Sequence, residues 1–314
     1  MLEEVEHWLS RRSWSVADRP LDLLAAAKRA GGASVSVVLP ALDEEGTVGE
    51  IVAEIRRELM ERVPLVDELL VVDSGSTDRT AEVAAAAGAK VVHRDAILPR
   101  LPAVAGKGEV LWRSLLATSG DIVAFVDADL KEFSADFVSG IVGPLLTDPD
   151  VAFVKAMYDR PLAGAGGQGG RVTELMARPL LNMHWPRLAG FVQPLGGEYA
   201  ARRSLLERLP FPVGYGVELG LLVDALHTVG LDALAQVDVG VRRHRHQDGQ
   251  ALGRMAAAIY RTAQVRLARG HLVRPELTQF VRGEGGFEPR THPVDTEERP
   301  PMADVAEYAH RRVA

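Results

Sequence analysis

Asp127 and Asp129 stand one residue apart at the end of the short apolar run Ile122–Val126. Two hard oxygen donors at i and i+2 can face a divalent cation that also takes phosphate oxygens. Alone, such a triplet more often reads as a solvated acidic turn. Four further groups shift that balance. Lys107 lies between Gly106 and Gly108 at a helix start, where free amides and the helix dipole favour anions. A solvated capping lysine is the alternative, and a P-loop is excluded because its upstream Gly and following Ser/Thr are missing. Gly169-Gly170-Arg171-Val172-Thr173-Glu174 sets amides, a guanidinium and a hydroxyl at another helix start, again suited to an anion. Arg242-Arg243-His244-Arg245-His246 is a dense basic cluster in an acidic chain, and His244 can offer a neutral imidazole to a metal. Glu218 is the acid at the start of the helix opened by Gly214-Tyr215-Gly216-Val217. Its alternative role is favourable placement in the helix dipole.

These groups need a sheet to bring them together. Val35–Leu39, Leu69–Val72, Lys90–His93, Ile122–Val126, Val151–Met157 and Ala233–Val239 read as strands. Another strand is expected within Gln193–Ala201. Helices are expected over Thr47–Met60, up to Ala87, over Glu109–Thr118, about Phe137–Leu146, over Leu175–Leu181, up to Thr228 and over Leu252–Ala268. Strand–helix alternation argues for a mainly parallel α/β sheet with right-handed crossovers. Ligands of such sheets bind beyond the carboxyl ends of the strands. That is where Asp127, Asp129 and the basic cluster fall. The loop Arg94–Gly106 is long enough to be functional. Residues 1–32 read as two helices packed on the main domain.

Composition bounds the rest. A chain of 314 residues, 47% hydrophobic and 25% charged, holds one large α/β domain or two smaller ones. A formal charge of -7 without a long basic block argues against a nucleic-acid face. The absence of Cys excludes a disulfide framework and suits a reducing compartment. Met1-Leu2-Glu3-Glu4 is unlike a signal peptide, and no uncharged apolar run reaches about 18 residues, so no membrane span is expected. A cytoplasmic protein is the expectation.

The segments V-V-L-P-A-L-D-E-E, V-D-S-G-S-T-D, G-K-G and F-V-D-A-D occur in that order over roughly residues 34–130. Together they resemble nucleotide-sugar-dependent glycosyltransferases of the GT-A fold. G-G-R-V-T-E-L, Q-P-L-G-G-E-Y-A, G-Y-G-V-E-L-G-L-L and G-V-R-R-H-R narrow the resemblance to the glucosyl-3-phosphoglycerate synthases of actinobacteria, over about residues 1–270. In that family UDP-glucose donates glucose to 3-phosphoglycerate, with retention and with Mg²⁺ or Mn²⁺.

The resemblance implies roles by position. Pro40, Ala41, Leu42, Asp43, Glu44 and Ser74 would hold the uridine end. Lys107 would contact the donor and take part in catalysis, and Asp127 and Ala128 would line the ribose and diphosphate. Asp129 and His244 would bind the metal. Gly170, Arg171, Val172 and Thr173, with His246, would hold the acceptor. Tyr215, Gly216, Val217 and Glu218 would surround the glucose, and the loop with Arg242, Arg243 and Gln247 would cover the diphosphate. Retention suggests a carboxylate nucleophile, and Glu218 is the obvious candidate. Retaining GT-A enzymes often lack one, so Glu218 ranks first as a sugar-hydroxyl ligand. Two departures bear on specificity: Asp43 where the family has Asn, and His246 where it has Asn.

Rival readings are a mannosyl-3-phosphoglycerate synthase-like enzyme using GDP-mannose and a nucleotidylyltransferase of related fold. Four regions follow: a helical arm (1–33), a nucleotide-sugar-binding subdomain (34–157), an acceptor-binding and C-terminal part of the catalytic domain (158–270), and a tail (271–314). The tail is expected to be partly disordered or to enter a homodimer contact.

Overall fold

Runs of buried β-branched residues make the strands, and periodic apolar faces lay helices over them. The computed structural model describes residues 2–160, 170–242, 248–267, 276–283, 286–293 and 297–313. Its main sheet contains β1 (Ser13–Ser15), β2 (Val35–Ala41), β3 (Glu68–Asp73), β4 (Lys90–His93), β5 (Ile122–Phe125), β6 (Phe153–Asp159) and β7 (Tyr199–Arg202). After β8 (Phe211–Pro212), which lies apart, β9 (Leu234–Val241) completes it. The order is β1-β9-β6-β7-β5-β2-β3-β4. β7 is antiparallel to its neighbours β5 and β6, and the other pairings are parallel.

β2 is inaccessible from Val35 to Leu39, as a parallel strand covered on both faces must be. Alternate side chains divide into two cores. Val38, Leu70, Val72 and Phe125 face one layer, and Val37, Leu39, Val71 and Ala124 face the other. The helix Val48–Ile55 buries Val48, Ile51, Val52 and Ile55, then continues as a π-type turn over Arg56–Arg62.

The N-terminal region has the two expected helices, Glu3–Arg12 and Leu21–Gly31. Between them β1 extends the sheet edge beside β9, and Trp8 Nε1 donates to the Leu234 carbonyl at 2.7 Å. Three residues are too few for alternation to announce a strand. Toward the C-terminus, β10 (Glu276–Gly283) and β11 (Gly286–Pro293) form an antiparallel pair, and β12 (Glu298–Arg299) pairs with β8. Residues 297–313 therefore return onto the domain. The reason is a buried partner. Arg299 Nε donates to Glu109 Oε2 at 2.7 Å, and Glu109 Oε1 accepts from Arg113 Nε at 2.7 Å. Trp112 Nε1 also donates to the Pro300 carbonyl at 2.9 Å. Among the described residues no helix is long and apolar enough to cross a membrane.

Candidate active site

The carboxyl ends of β5, β6 and β9 point to one edge of the sheet. β7 runs the other way, so its amino end meets them there. β5 delivers Asp127 and Asp129, β6 delivers Tyr158 and Arg160, β9 delivers Arg242, and Glu198 precedes β7. A cleft of ≈ 740 Å³ opens above this edge.

Most residues singled out by sequence line it. Pro40, Ala41, Leu42, Glu44 and Ser74 form one wall. Lys107, Asp127, Ala128 and Asp129 form the floor, with Arg242 beside them. Gly170, Arg171, Val172 and Thr173 line it as well, as do Tyr215 and Glu218. Asp43, Gly216 and Val217 do not line the cleft. Asp43 adopts φ 56°, which Asp tolerates, and its Oδ1 accepts from Thr77 N at 2.7 Å, tying the β2 exit to the β3 exit. A Cβ on Gly216 would lie 1.9 Å from Thr262 Oγ1, and Val217 belongs to the core. Arg243, His244, His246 and Gln247, like Gly169, lie outside the described residues.

The floor is a charge network. Lys107 Nζ lies 2.5 Å from Asp127 Oδ1 and 2.8 Å from Glu218 Oε1. Arg242 donates to Asp127 Oδ2 at 2.7 Å. Burial opposes the Lys107 charge, but Asp127 and Glu218 outweigh it and hold the ammonium protonated well above the ordinary lysine range. Burial likewise pushes the Asp127 carboxyl up, yet Lys107 and Arg242 overcome this and keep it well below the usual carboxylate range. Asp129 goes the other way: burial and the neighbouring Asp127 charge raise it.

That difference sorts the two acids. Asp127 is fully engaged by cations. Asp129 Oδ1 is buried with no hydrogen-bond partner among the described residues, and Arg242 is 3.5 Å away. An orphaned buried carboxylate oxygen fits a divalent cation. Among the described residues no cluster of three His, Cys, Asp or Glu could hold one. The remaining ligands would come from phosphate oxygens or from residues such as His244, outside the described set.

Sequence reasoning missed four residues here. Arg160 lines the cleft, and Tyr158, Glu198 and Lys155 lie buried beneath it. Lys155 Nζ donates to the Gly196 carbonyl at 2.7 Å, and burial pulls its pKa down to about 8. Gly197 packs on Asp127 so closely that a Cβ would stand 2.2 Å from Oδ2. The two glycines before Glu198 were the available signal, since close backbone approach to a charged group requires glycine.

Comparison with known proteins agrees with this geometry. Residues 36–197 match the profile of "Glycosyl transferase family 2". The chain is 51% identical over 304 residues to glucosyl-3-phosphoglycerate synthase of Mycolicibacterium smegmatis, covering 96% of this chain and 97% of that protein. The crystal structure of the Mycobacterium tuberculosis glucosyl-3-phosphoglycerate synthase, in complex with Mn²⁺, UDP and phosphoglyceric acid, superposes with a TM-score of 0.82 at 48% identity, covering 90% of this chain and 94% of that one. Mannosyl-3-phosphoglycerate synthase of Rubrobacter xylanophilus superposes with a TM-score of 0.89 at 42% identity, covering 95% and 97%.

Proposed function

This chain belongs to glycosyl transferase family 2 and to the glucosyl-3-phosphoglycerate synthases within it, and from that premise we propose how it works. It is a metal-dependent glycosyltransferase of the GT-A fold. It moves glucose from UDP-glucose to the 2-hydroxyl of 3-phosphoglycerate, giving glucosyl-3-phosphoglycerate and UDP. The carrying observation is one cleft with two anion sites: the Lys107–Asp127–Arg242 floor and the separate Gly170–Thr173 segment.

Pro40, Ala41, Leu42, Glu44 and Ser74 bind the nucleoside end. Lys107 spends two of its three donors on Asp127 and Glu218, which leaves one for a donor oxygen in the cleft. Arg242 steadies the diphosphate from the other side. Asp129 with His244 would hold the Mg²⁺ or Mn²⁺, which would offset the negative charge that develops on the leaving diphosphate. Arg171, Val172, Thr173 and the Gly170 amide hold the acceptor phosphate. The bond from the anomeric carbon to the diphosphate oxygen breaks as the bond to the acceptor oxygen forms. The acceptor hydroxyl proton passes to the leaving diphosphate on the same face, so configuration is retained. Glu218 holds a sugar hydroxyl.

In this reading residues 34–157 form the nucleotide-sugar-binding subdomain, and residues 158–270 carry the acceptor segment together with Glu218 and Arg242, which complete the donor site. A homodimer and a cytoplasmic location belong to the same proposal; the lack of Cys supports the second. The test is to incubate the protein with 3-phosphoglycerate, Mg²⁺ and either UDP-glucose or GDP-mannose, and to follow products by mass spectrometry. UDP and a phosphorylated glucoside are expected from the first donor. Turnover of GDP-mannose alone would overturn the glucose assignment in favour of the mannosyl reading.

A further inference from the structure

Glu198 sits under the floor of the cleft and is fully inaccessible. Its two oxygens serve two different partners. Oε1 accepts from Arg242 Nε at 2.9 Å, and Oε2 accepts from the Tyr158 hydroxyl at 2.7 Å. Tyr158 in turn accepts from Arg160 at 2.9 Å. The direction of each bond is forced, because arginine only donates and a phenol has one proton. That proton goes to Glu198, and burial raises the phenol so that it is retained. The Tyr158 ring also lies within cation–π range of both guanidiniums, 5.2 Å from Arg160 and 5.7 Å from Arg242.

The ends of this chain reach different parts of the cleft. Arg242 donates to Asp127 at the diphosphate floor. Arg160 lines the wall beside Gly170, where a Cβ would stand 3.8 Å from Arg160 Cδ. Arg160 Nε is buried and has no partner among the described residues. A buried ionic network contributes little stability over a well-packed apolar one, so its gain is sought in geometry. Sub-ångström placement of charge is what transfer chemistry needs.

We infer that Glu198 is a positioning residue that fixes both cationic walls at once: Arg242 directly on the donor side, and Arg160, through Tyr158, against an anionic oxygen of the acceptor. The inference rests on the donor and acceptor proposed above. It divides Glu198 into two arms that can be cut separately.

The test compares Tyr158→Phe, Glu198→Gln and wild type by steady-state kinetics in both substrates, by calorimetric binding of 3-phosphoglycerate, and by Tm. Tyr158→Phe removes only the acceptor arm. Its KM and Kd for 3-phosphoglycerate should rise about tenfold, the loss of one charge-assisted bond, with kcat and the UDP-glucose KM near wild type. Glu198→Gln weakens both arms and should lower kcat as well. A Tyr158→Phe variant that binds and turns over like wild type overturns the inference, as does one that weakens both substrates equally. Should Glu198→Gln fail to fold, the Tyr158→Phe split decides alone. Wild type that fails to bind 3-phosphoglycerate would overturn the function proposed above, and the acceptor arm with it. Wild-type binding with an unshifted Tyr158→Phe would overturn the arm alone.

Discussion

Lys107 and Glu218 meet at 2.8 Å, each from the first turn of its own helix. The contact joins Glu218 to Asp127 through one ammonium, since Asp127 takes the same Nζ. A carboxylate committed to a lysine suits a sugar-hydroxyl ligand better than a nucleophile.

Lys107→Ala should therefore keep its fold and lose turnover. Removing one preorganised charge at a reacting group costs about 10²–10³ in kcat. Circular dichroism should match wild type while kcat falls by that amount. Wild-type turnover would reduce Lys107 to a structural residue.

Asp129→Asn removes the carboxylate charge while keeping the side chain's size. Calorimetric binding of Mn²⁺ in the presence of UDP should be lost or strongly weakened, and turnover should no longer respond to metal titration. His244→Ala should also weaken metal dependence, more than it weakens acceptor binding. Unchanged Mn²⁺ affinity in both variants would contradict this assignment.

Arg171→Ala tests the acceptor wall. One charge-assisted contact is worth roughly 1.5–3 kcal/mol, about ten- to over a hundredfold in affinity. KM for 3-phosphoglycerate should rise within that range and KM for UDP-glucose should not. Free glycerate should be a poor acceptor for wild type; equal use of glycerate and 3-phosphoglycerate would remove the phosphate role of this segment.

Much of this was legible in the sequence, and what was not has physical reasons. Buried β-branched runs identified β2, β3 and β5, because strands covered on both faces must be apolar throughout. Asp127, Asp129 and Lys107 were visible because hard ligands and a glycine-flanked cation are local signals. The Glu198 network was not, because it depends on β7 running antiparallel between β5 and β6. No local pattern encodes that pairing. The contact by which Asp43 Oδ1 accepts from the Thr77 amide was not legible either, because it joins two loops 34 residues apart in sequence. The pairing of Arg299 with Glu109 had no local signal, because the two lie 190 residues apart in sequence.

That last pair gives a pH prediction. Burial raises Glu109, but Arg299 and Arg113 outweigh it, so the folded carboxyl lies below its ordinary value. Its stabilisation is then fully present above that ordinary value and is lost as pH falls through the depressed folded one. Glu109→Gln leaves two arginines without their carboxylate and should cost about 3–5 kcal/mol near neutral pH. Thermal melts should show a lower Tm and a shallower loss on acidification than wild type. Parallel acid profiles would show that Glu109 does not titrate with folding.

The lone reversed strand also decides how the molecule can be divided. β7 fills the lane between β5 and β6, both of which precede it in the chain, and β9 pairs on the far side of β6. Cut anywhere between β6 and β7, the first fragment would end with β5 and β6 parted by an empty lane one strand wide. The second fragment would carry the filler, with its hydrogen-bonding groups bare on both sides. Neither piece could stand as an enzyme, yet each would present the complement the other lacks. Fused to two interacting partners, the fragments would regain sugar transfer only when brought together, and their turnover would report proximity.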